Sequence, residues 1–186
     1  MSKAFDSVNI EMLRIVLQRI KIPSNIVNIL MSLFQDRQNA VITCHGLTEE
    51  YNVEDGIDQG DTISPLLWRI FYDPLIAKTA TKHKGYCISS TKTIDIRDTK
   101  RKFKTYVSVS AFMDDTTWIA PNQKQLQQIL NTATQFYKIN DIHINPDKSQ
   151  LMIINGKALD FNTGVSMDNT IIPGCKKGTP ICILDV

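Results

Sequence analysis

No stretch of the 186 residues approaches the ~18 consecutive apolar residues that a membrane-spanning helix requires. No repeat or low-complexity tract interrupts the chain. Met1-Ser2-Lys3-Ala4-Phe5-Asp6 contains no apolar signal region, so secretion is not expected. Cysteine is sparse and scattered: Cys44, Cys87, Cys175 and Cys182 form no C-x2-C pair, and His45, His83 and His143 do not complete a ligand set. A zinc site is therefore not expected, and reduced intracellular thiols are the default. Net charge is nearly absent too, at +2. What is present is globular composition, with 42% hydrophobic and 22% charged residues. That is too apolar for disorder, and the chain has the length of one ordinary domain.

The near-neutral total hides a contrast. Between Lys78 and Lys104 nine basic side chains face only Asp95 and Asp98, a local charge of +7; against a total of +2 the remainder carries −5. Either the segment is a solvated surface loop, or one face meets a polyanion while carboxylates elsewhere serve another purpose.

The periodicity predicts a helix after Ser7 as N-cap, with Leu13, Val16, Leu17 and Ile20 on one face. Pro23 ends it, and Ser24 opens a second helix carrying Val27, Leu30 and Phe34. Residues 39–44 and 51–57 read as strands joined around Gly46. After the polar loop Asp58-Gln59-Gly60-Asp61-Thr62, Ser64-Pro65 reads as N-cap and first residue of a helix with Leu67, Ile70 and Phe71 inward. The basic segment reads as an extended insertion. Two strands, 104–110 and 116–120, flank Asp114-Asp115. Asn122 caps a strongly periodic helix with Leu126, Ile129, Leu130, Ala133, Phe136 and Tyr137. Residues 150–154 read as a last strand, and the remainder is weakly patterned.

Two adjacent carboxylates between β runs have two readings. Aspartates are common at turns, where they bond nearby amides. They are also the hard oxygen ligands that Mg²⁺ takes together with substrate phosphates, and a pair of such ions can serve phosphoryl transfer. Gln59-Gly60…Ser64-Pro65 is either an ordinary loop and helix start, or a place where glycine lets the backbone approach a ligand beside a phosphate-favouring helix N-terminus. Ile144-Asn145-Pro146-Asp147-Lys148-Ser149 alone is a turn with a lysine. Lys3-Ala4-Phe5-Asp6-Ser7-Val8 alone says almost nothing.

Taken together and in order, these four motifs resemble the palm of reverse transcriptases, most closely those of non-LTR (LINE-type) retrotransposons. Ser2 to Val8 resembles the end of the first palm motif, Gln59 to Leu67 the second, Ala111-Phe112-Met113-Asp114-Asp115 the double-aspartate hairpin, and Ile144 to Ser149 the fourth. The resemblance implies an α+β polymerase palm, a ferredoxin-like βαββαβ unit lacking its first strand, with part of the fingers. Fingers would occupy 7–57, the palm core 58–155, and the palm end with the primer grip 156–186.

The resemblance also implies roles. Asp114 and Asp115 would be the catalytic carboxylates and hold Mg²⁺ or Mn²⁺. Phe5 would be the steric gate that favours deoxynucleotides, Gln59 and Gly60 would border the nucleotide pocket, and Lys148 would approach the triphosphate. Arg97, Lys100, Arg101 and Lys102 are the candidate contacts to a nucleic-acid backbone. The expected partners are an RNA template, a DNA primer and deoxynucleoside triphosphates, with no membrane, in the nucleus or cytoplasm. The family carries a further metal-binding Asp directly before the position of Met1, on a strand preceding it, and a thumb after the palm. Where the family has R-Y-L-G-V, the chain has Cys182-Ile183-Leu184-Asp185-Val186. The expectation is therefore the middle of a polymerase, whose parent activity is RNA-templated DNA synthesis and which is inactive as this isolated piece. The alternative is a non-catalytic fragment of a decayed mobile element that at most binds nucleic acid. An RNA-templated RNA polymerase shares the double aspartate but not Gln59-Gly60…Ser64-Pro65.

Overall fold

Asn9, not Ser7, starts the first helix. In the computed structural model, which describes residues 4–53, 55–93, 100–155 and 164–175, the Asn9 side chain accepts the Met12 amide at 2.9 Å and caps α1 (Ile10–Arg19). Ser7 instead donates its hydroxyl to the Ala4 carbonyl at 3.0 Å, closing the turn that carries Phe5 and Asp6. Helix α1 buries Ile10, Leu13, Val16 and Leu17, three to four residues apart as one helical face requires. It packs on α2 (Ser24–Ser32), which buries Val27 and Met31.

A long antiparallel hairpin follows. β1 (Arg37–Asn39) pairs with β4 (Tyr51–Val53), and β2 (Ile42–Thr43) with β3 (Gly46–Leu47). Arg37 lies opposite Val53, whereas Ile42 lies opposite Leu47, so the register slips by one residue between the two ladders.

Helix α3 (Ser64–Lys82) continues through Pro74 and reaches further than expected, into the basic segment. Ser64 does not act as its cap. The Leu66 and Leu67 amides both donate to the Ile63 carbonyl at 3.0 Å, and the buried Ser64 hydroxyl has no hydrogen-bond partner among the described residues. The helix buries Leu67, Trp68, Phe71 and Tyr72, and the Trp68 ring stacks on Tyr72 at 5.5 Å and meets Phe5 at 5.9 Å.

The rest of the basic segment is a regular hairpin rather than an irregular insertion: β5 (Tyr86–Thr93) pairs with β6 (Lys100–Val107) along eight residues. β7 (Val109–Phe112) pairs with β8 (Asp115–Trp118), and α4 (Gln123–Ile139) packs on β8 and on β9 (Val165–Met167). Asn122 caps α4 as its sequence suggests, accepting the Gln125 amide at 2.9 Å. α4 buries Ile129, Leu130, Thr132, Ala133 and Tyr137. The half-buried Gln127 of α4 both donates its amide to the Ser166 carbonyl at 2.7 Å and accepts the Ser166 N–H at 2.8 Å, bonding β9 to the helix. β9 turns back into β10 (Thr170–Ile172). The strand expected over 150–154 is reduced to one parallel bridge between Leu151 and Gly174.

The described strands form five two-stranded antiparallel sheets, so the fold is mixed α and β with small sheets. They fall into two compact units, one within Ser2–Pro74 with Asn140–Ile142, the other within Leu75–Ile139 with His143–Val186. No described helix is long and apolar enough to cross a membrane.

Candidate active site

The adjacent carboxylates stand at the end of the β7–β8 hairpin. Phe112 pairs with Asp115 as the last rung, so Met113 and Asp114 are the whole loop. Two-residue hairpin loops favour turns with positive φ at the first central residue, a place usually given to Gly or Asn. Met113 holds it with φ 51°, and a side chain in that region costs roughly 1–2 kcal/mol. Backbone strain of this kind concentrates at functional sites. Residues directly opposite share a face and faces alternate along a strand. Ser110, Phe112, Asp115 and Thr117 therefore share one face, and all four are exposed. Val109, Thr116 and Trp118, on the other face, are half-buried. Asp114 is half-buried within the loop.

Among the described residues no group of three or more His, Cys, Asp or Glu side chains is gathered to hold a metal. The donor set at the hairpin is two carboxylates, one exposed and one half-buried. That set suits Mg²⁺, which keeps several waters and takes one or two carboxylates plus substrate phosphates rather than a closed cage.

The second and first motifs come together in the other unit. The Phe5 carbonyl accepts the Ile57 amide at 3.0 Å, and the Val8 carbonyl accepts the Gly56 amide at 2.9 Å. A Cβ at Gly56 (φ +90°) would lie 2.9 Å from the Asp6 carbonyl oxygen, so only glycine allows this approach. Arg37 secures the same loop. Its guanidinium donates to Asp58 Oδ1 at 2.8 Å, to the Gly56 carbonyl at 2.8 Å and to the Asp55 carbonyl at 3.3 Å. Its charge sits 5.2 Å from the centre of the Phe34 ring. A groove of about 250 Å³ opens here, lined by Asp6, Arg37, Asn39, Tyr51 and Gln59 among others. Phe5 is half-buried against Trp68. Gly60 has φ +100° and nothing within 4 Å of where a Cβ would stand. Conformation rather than crowding demands glycine there, and the space beside it is open.

Lys148 is exposed at the end of a 3₁₀ turn, Pro146–Lys148. The turn is held by its own side chains: Asn145 accepts the Asp147 amide at 3.1 Å, and the Ser149 hydroxyl donates to the Asn145 carbonyl at 2.8 Å. Of the four basic residues proposed for a nucleic-acid backbone, Arg97 lies outside the described residues, as do Met1 to Lys3 and the primer-grip segment 176–186. The other three do not share a face. Lys100 and Lys102 lie on one side of β6 with Lys104, whereas Arg101 lies on the other, opposite Lys92.

Arg37 and Met113 escaped the reading of the sequence. A single arginine about twenty residues from the carbonyls it bonds follows no spacing rule. Met113 shows its role only through its backbone angle.

One unit thus carries two hard oxygen ligands at a strained hairpin and a surface lysine, and the other carries an open glycine loop. Comparison with known proteins agrees in kind. The family model described as "Reverse transcriptase (RNA-dependent DNA polymerase)" matches residues 1–176. The chain is 24% identical over 156 residues to a Retrovirus-related Pol polyprotein from type-2 retrotransposable element R2DM of Drosophila melanogaster, a match covering 84% of this chain and 13% of that protein. It is 23% identical over 146 residues to a Retrovirus-related Pol polyprotein from type-1 retrotransposable element R2 of Popillia japonica, covering 78% of this chain and 22% of that one. The chain therefore spans less than a quarter of the length of these relatives. No solved structure matches. With the family model covering most of its length, the chain belongs to the reverse transcriptases, as a domain of the non-LTR retrotransposon type.

Proposed function

We propose that this domain contributes the nucleotidyl-transfer site of RNA-templated DNA synthesis, in which a primer 3′-hydroxyl attacks the α-phosphorus of a deoxynucleoside triphosphate and pyrophosphate leaves. The observation that carries the reading is the pair Asp114–Asp115 on a two-residue hairpin with a left-handed Met113. It sits in a sequence that the reverse transcriptase model matches throughout that region. Asp114 and Asp115 would hold Mg²⁺ or Mn²⁺, which when bound supplies Lewis-acid stabilisation to phosphoryl oxygens. Phe5, fixed by Trp68, would crowd the sugar 2′ position and so favour deoxynucleotides. Gln59 and Gly60 would border the nucleotide, with the open space at Gly60 admitting it close to the backbone. Lys148 would neutralise triphosphate charge and lend a proton to the departing pyrophosphate. Lys100 and Lys102, with Arg97 and Arg101, would meet nucleic-acid phosphates. The palm arrangement of the strands belongs to the same proposal, as does the RNA template and DNA primer pairing.

Two measurements test it. Mn²⁺ titrated into the purified chain should broaden the NMR amide signals of residues 112–116 selectively, and Asp114→Asn with Asp115→Asn should abolish the effect. A polymerase carrying this domain should extend a DNA primer on RNA with deoxynucleotides in preference to ribonucleotides. Asp114→Asn should remove that activity, and Phe5→Ala should relax the sugar preference. Mn²⁺ broadening that is uniform, or that survives both substitutions, would leave the fragment as a nucleic-acid-binding remnant and overturn the catalytic reading.

A further inference from the structure

The β5–β6 hairpin has two unlike faces. In its register Lys100 pairs with Thr93, Lys102 with Thr91, Lys104 with Ser89 and Tyr106 with Cys87. Opposite residues share a face, so three lysines and a tyrosine line one side, with the hydroxyls of Ser89, Thr91 and Thr93 beside the lysines. The other side carries Phe103, Ile88 and Tyr86, with Arg101 and Lys92 near its outer end. The hairpin pairs with no third described strand. Lys100, Lys102 and Lys104 are exposed and form no ion pair with any described residue. At the base of the same face Lys84 places its ammonium 5.8 Å from the centre of the Tyr106 ring, and about half of Tyr106 remains open to solvent.

We infer that the Lys100–Lys102–Lys104–Tyr106 face is a docking track for single-stranded RNA, with phosphates along the lysines and a base stacked on Tyr106. The class of ligand rests on the polymerase reading; the surface does not. Alternate residues of a strand advance about 6.8 Å, close to the spacing of successive phosphates in an extended single strand. The three ammonium groups therefore meet neighbouring phosphates along one backbone. A cationic track ending in an exposed aromatic ring is how single strands are held without regard to sequence. The hydroxyls between the lysines decide the sugar. Serine and threonine both donate and accept, and the 2′-hydroxyl is the group that distinguishes RNA from DNA at a binding surface. A duplex would keep its bases from Tyr106.

The test is fluorescence anisotropy of the full chain with a labelled 20-mer RNA, the same sequence as DNA, and a duplex, across a salt titration. The RNA should bind tightest. Lys100→Gln/Lys102→Gln/Lys104→Gln should reduce the log–log salt slope by about 2, at roughly 0.7 per phosphate on a single strand. Tyr106→Ala should weaken RNA binding by at least about fivefold without changing the slope. A control with the same loss of charge at lysines off this face, Lys78→Gln/Lys92→Gln/Lys124→Gln, should move the slope by less than half as much. Circular dichroism unchanged in these surface variants keeps the comparison valid. An unchanged slope in the Lys100/Lys102/Lys104 variant, equal loss in the control, or binding of DNA or duplex as tight as RNA would each overturn the assignment. Those results leave the Mn²⁺ test of Asp114 and Asp115 untouched. A wild-type chain that binds none of the three probes would count against both.

Discussion

Three of the four described glycines with positive φ differ in what surrounds them, so alanine at each separates backbone cost from crowding. At Gly46 (φ +117°) a Cβ would meet nothing within 4 Å; at Gly56 (φ +90°) it would lie 2.9 Å from the Asp6 oxygen and 3.0 Å from the Asp6 Cα. At Gly85 (φ +69°) it would lie 2.1 Å from the Val107 oxygen, 2.4 Å from the Val107 carbonyl carbon and 2.5 Å from the Ser108 Cα. The conformational cost is common to all three, roughly 1–2 kcal/mol, partly offset by about 0.4–1 kcal/mol from the stiffer unfolded chain. Gly46→Ala should therefore destabilise by about 1 kcal/mol or less. Forcing extra volume into packed surroundings adds about 1–3 kcal/mol, and main chain yields less readily than a side-chain end. Gly56→Ala should cost about 2–3 kcal/mol in all. Gly85→Ala, whose Cβ must displace two consecutive residues of backbone by about 1 Å or more, should cost about 3–5 kcal/mol, comparable with the whole stability of a marginal domain. Urea denaturation gives the ranking. Amide hydrogen exchange localises it, because Gly85→Ala should deprotect β5, β6 and the Val107–Ser108 junction that leads into the carboxylate hairpin. The same variant should weaken Mn²⁺ broadening at Asp114–Asp115, although Gly85 touches neither residue. A Gly85→Ala chain within 0.5 kcal/mol of Gly46→Ala would refute the close approach of Gly85 to Val107.

Arg37→Met should destabilise by about 2–3 kcal/mol, since the side chain is only 11% exposed and its charged hydrogen bonds to the Gly56 and Asp55 carbonyls have no substitute. Arg37→Lys should recover only part of this because one ammonium cannot span the fork; limited proteolysis at 55–60 reads the loosened loop, and an Arg37→Met chain as stable and as protease-resistant as wild type would refute the bracing role. His83 lies 3.0 Å through Nε2 from the Thr132 hydroxyl, and burial, with Lys82 adding to it, lowers its pKa below the ordinary 6.5. The folded state thus binds this proton less readily than the unfolded state, so the contribution is complete above pH ~6.5 and is lost as pH falls through the lowered value. Melting temperatures at pH 7.5 and 5.5 should differ less in His83→Gln than in wild type, and equal differences would show that His83 titrates as an exposed histidine.

What could be read beforehand followed where water and core divide the chain. α4 was legible because a helix lying on a core must repeat its apolar residues every three to four positions, and Ile129, Leu130, Ala133 and Tyr137 are the apolar residues it buries. β5 and β6 were not. Their described residues are almost all exposed on both faces, so no alternation of apolar and polar residues marks the strand period, and Lys, Ser and Thr read as loop. The β9–β10 hairpin escaped for another reason. Its strands have three residues each, too few for a period, and its turn is Asp168-Asn169 with φ 48° and 63°. Those are two residues that tolerate the left-handed region, so the signal lay in the turn alone. Trp68 and Tyr72, buried on α3, stand out by no period because the helix is apolar around much of its circumference.

The candidate site divides along the same line. Asp114 and Asp115 could be placed on a hairpin end because two β runs close around them within a few residues, and a short hairpin needs nothing from afar to fix its loop. That Arg101 faces away from Lys100 and Lys102 was not legible, because the rule that adjacent strand residues face opposite ways applies only once the segment is known to be a strand. Phe5 and the Gln59–Gly60 loop depend on longer reach. Phe5 is separated from Ile57 by some fifty residues yet accepts its amide, and the loop between is braced by Arg37 from a third element. Such closure needs backbone to meet backbone at Gly56 and a charged fork on two carbonyls, neither of which has a periodicity. Motif order names the candidate residues, but the parts that hold Phe5 and the Gln59–Gly60 loop in place are carbonyls, glycine angles and one arginine, and those become visible only in three dimensions.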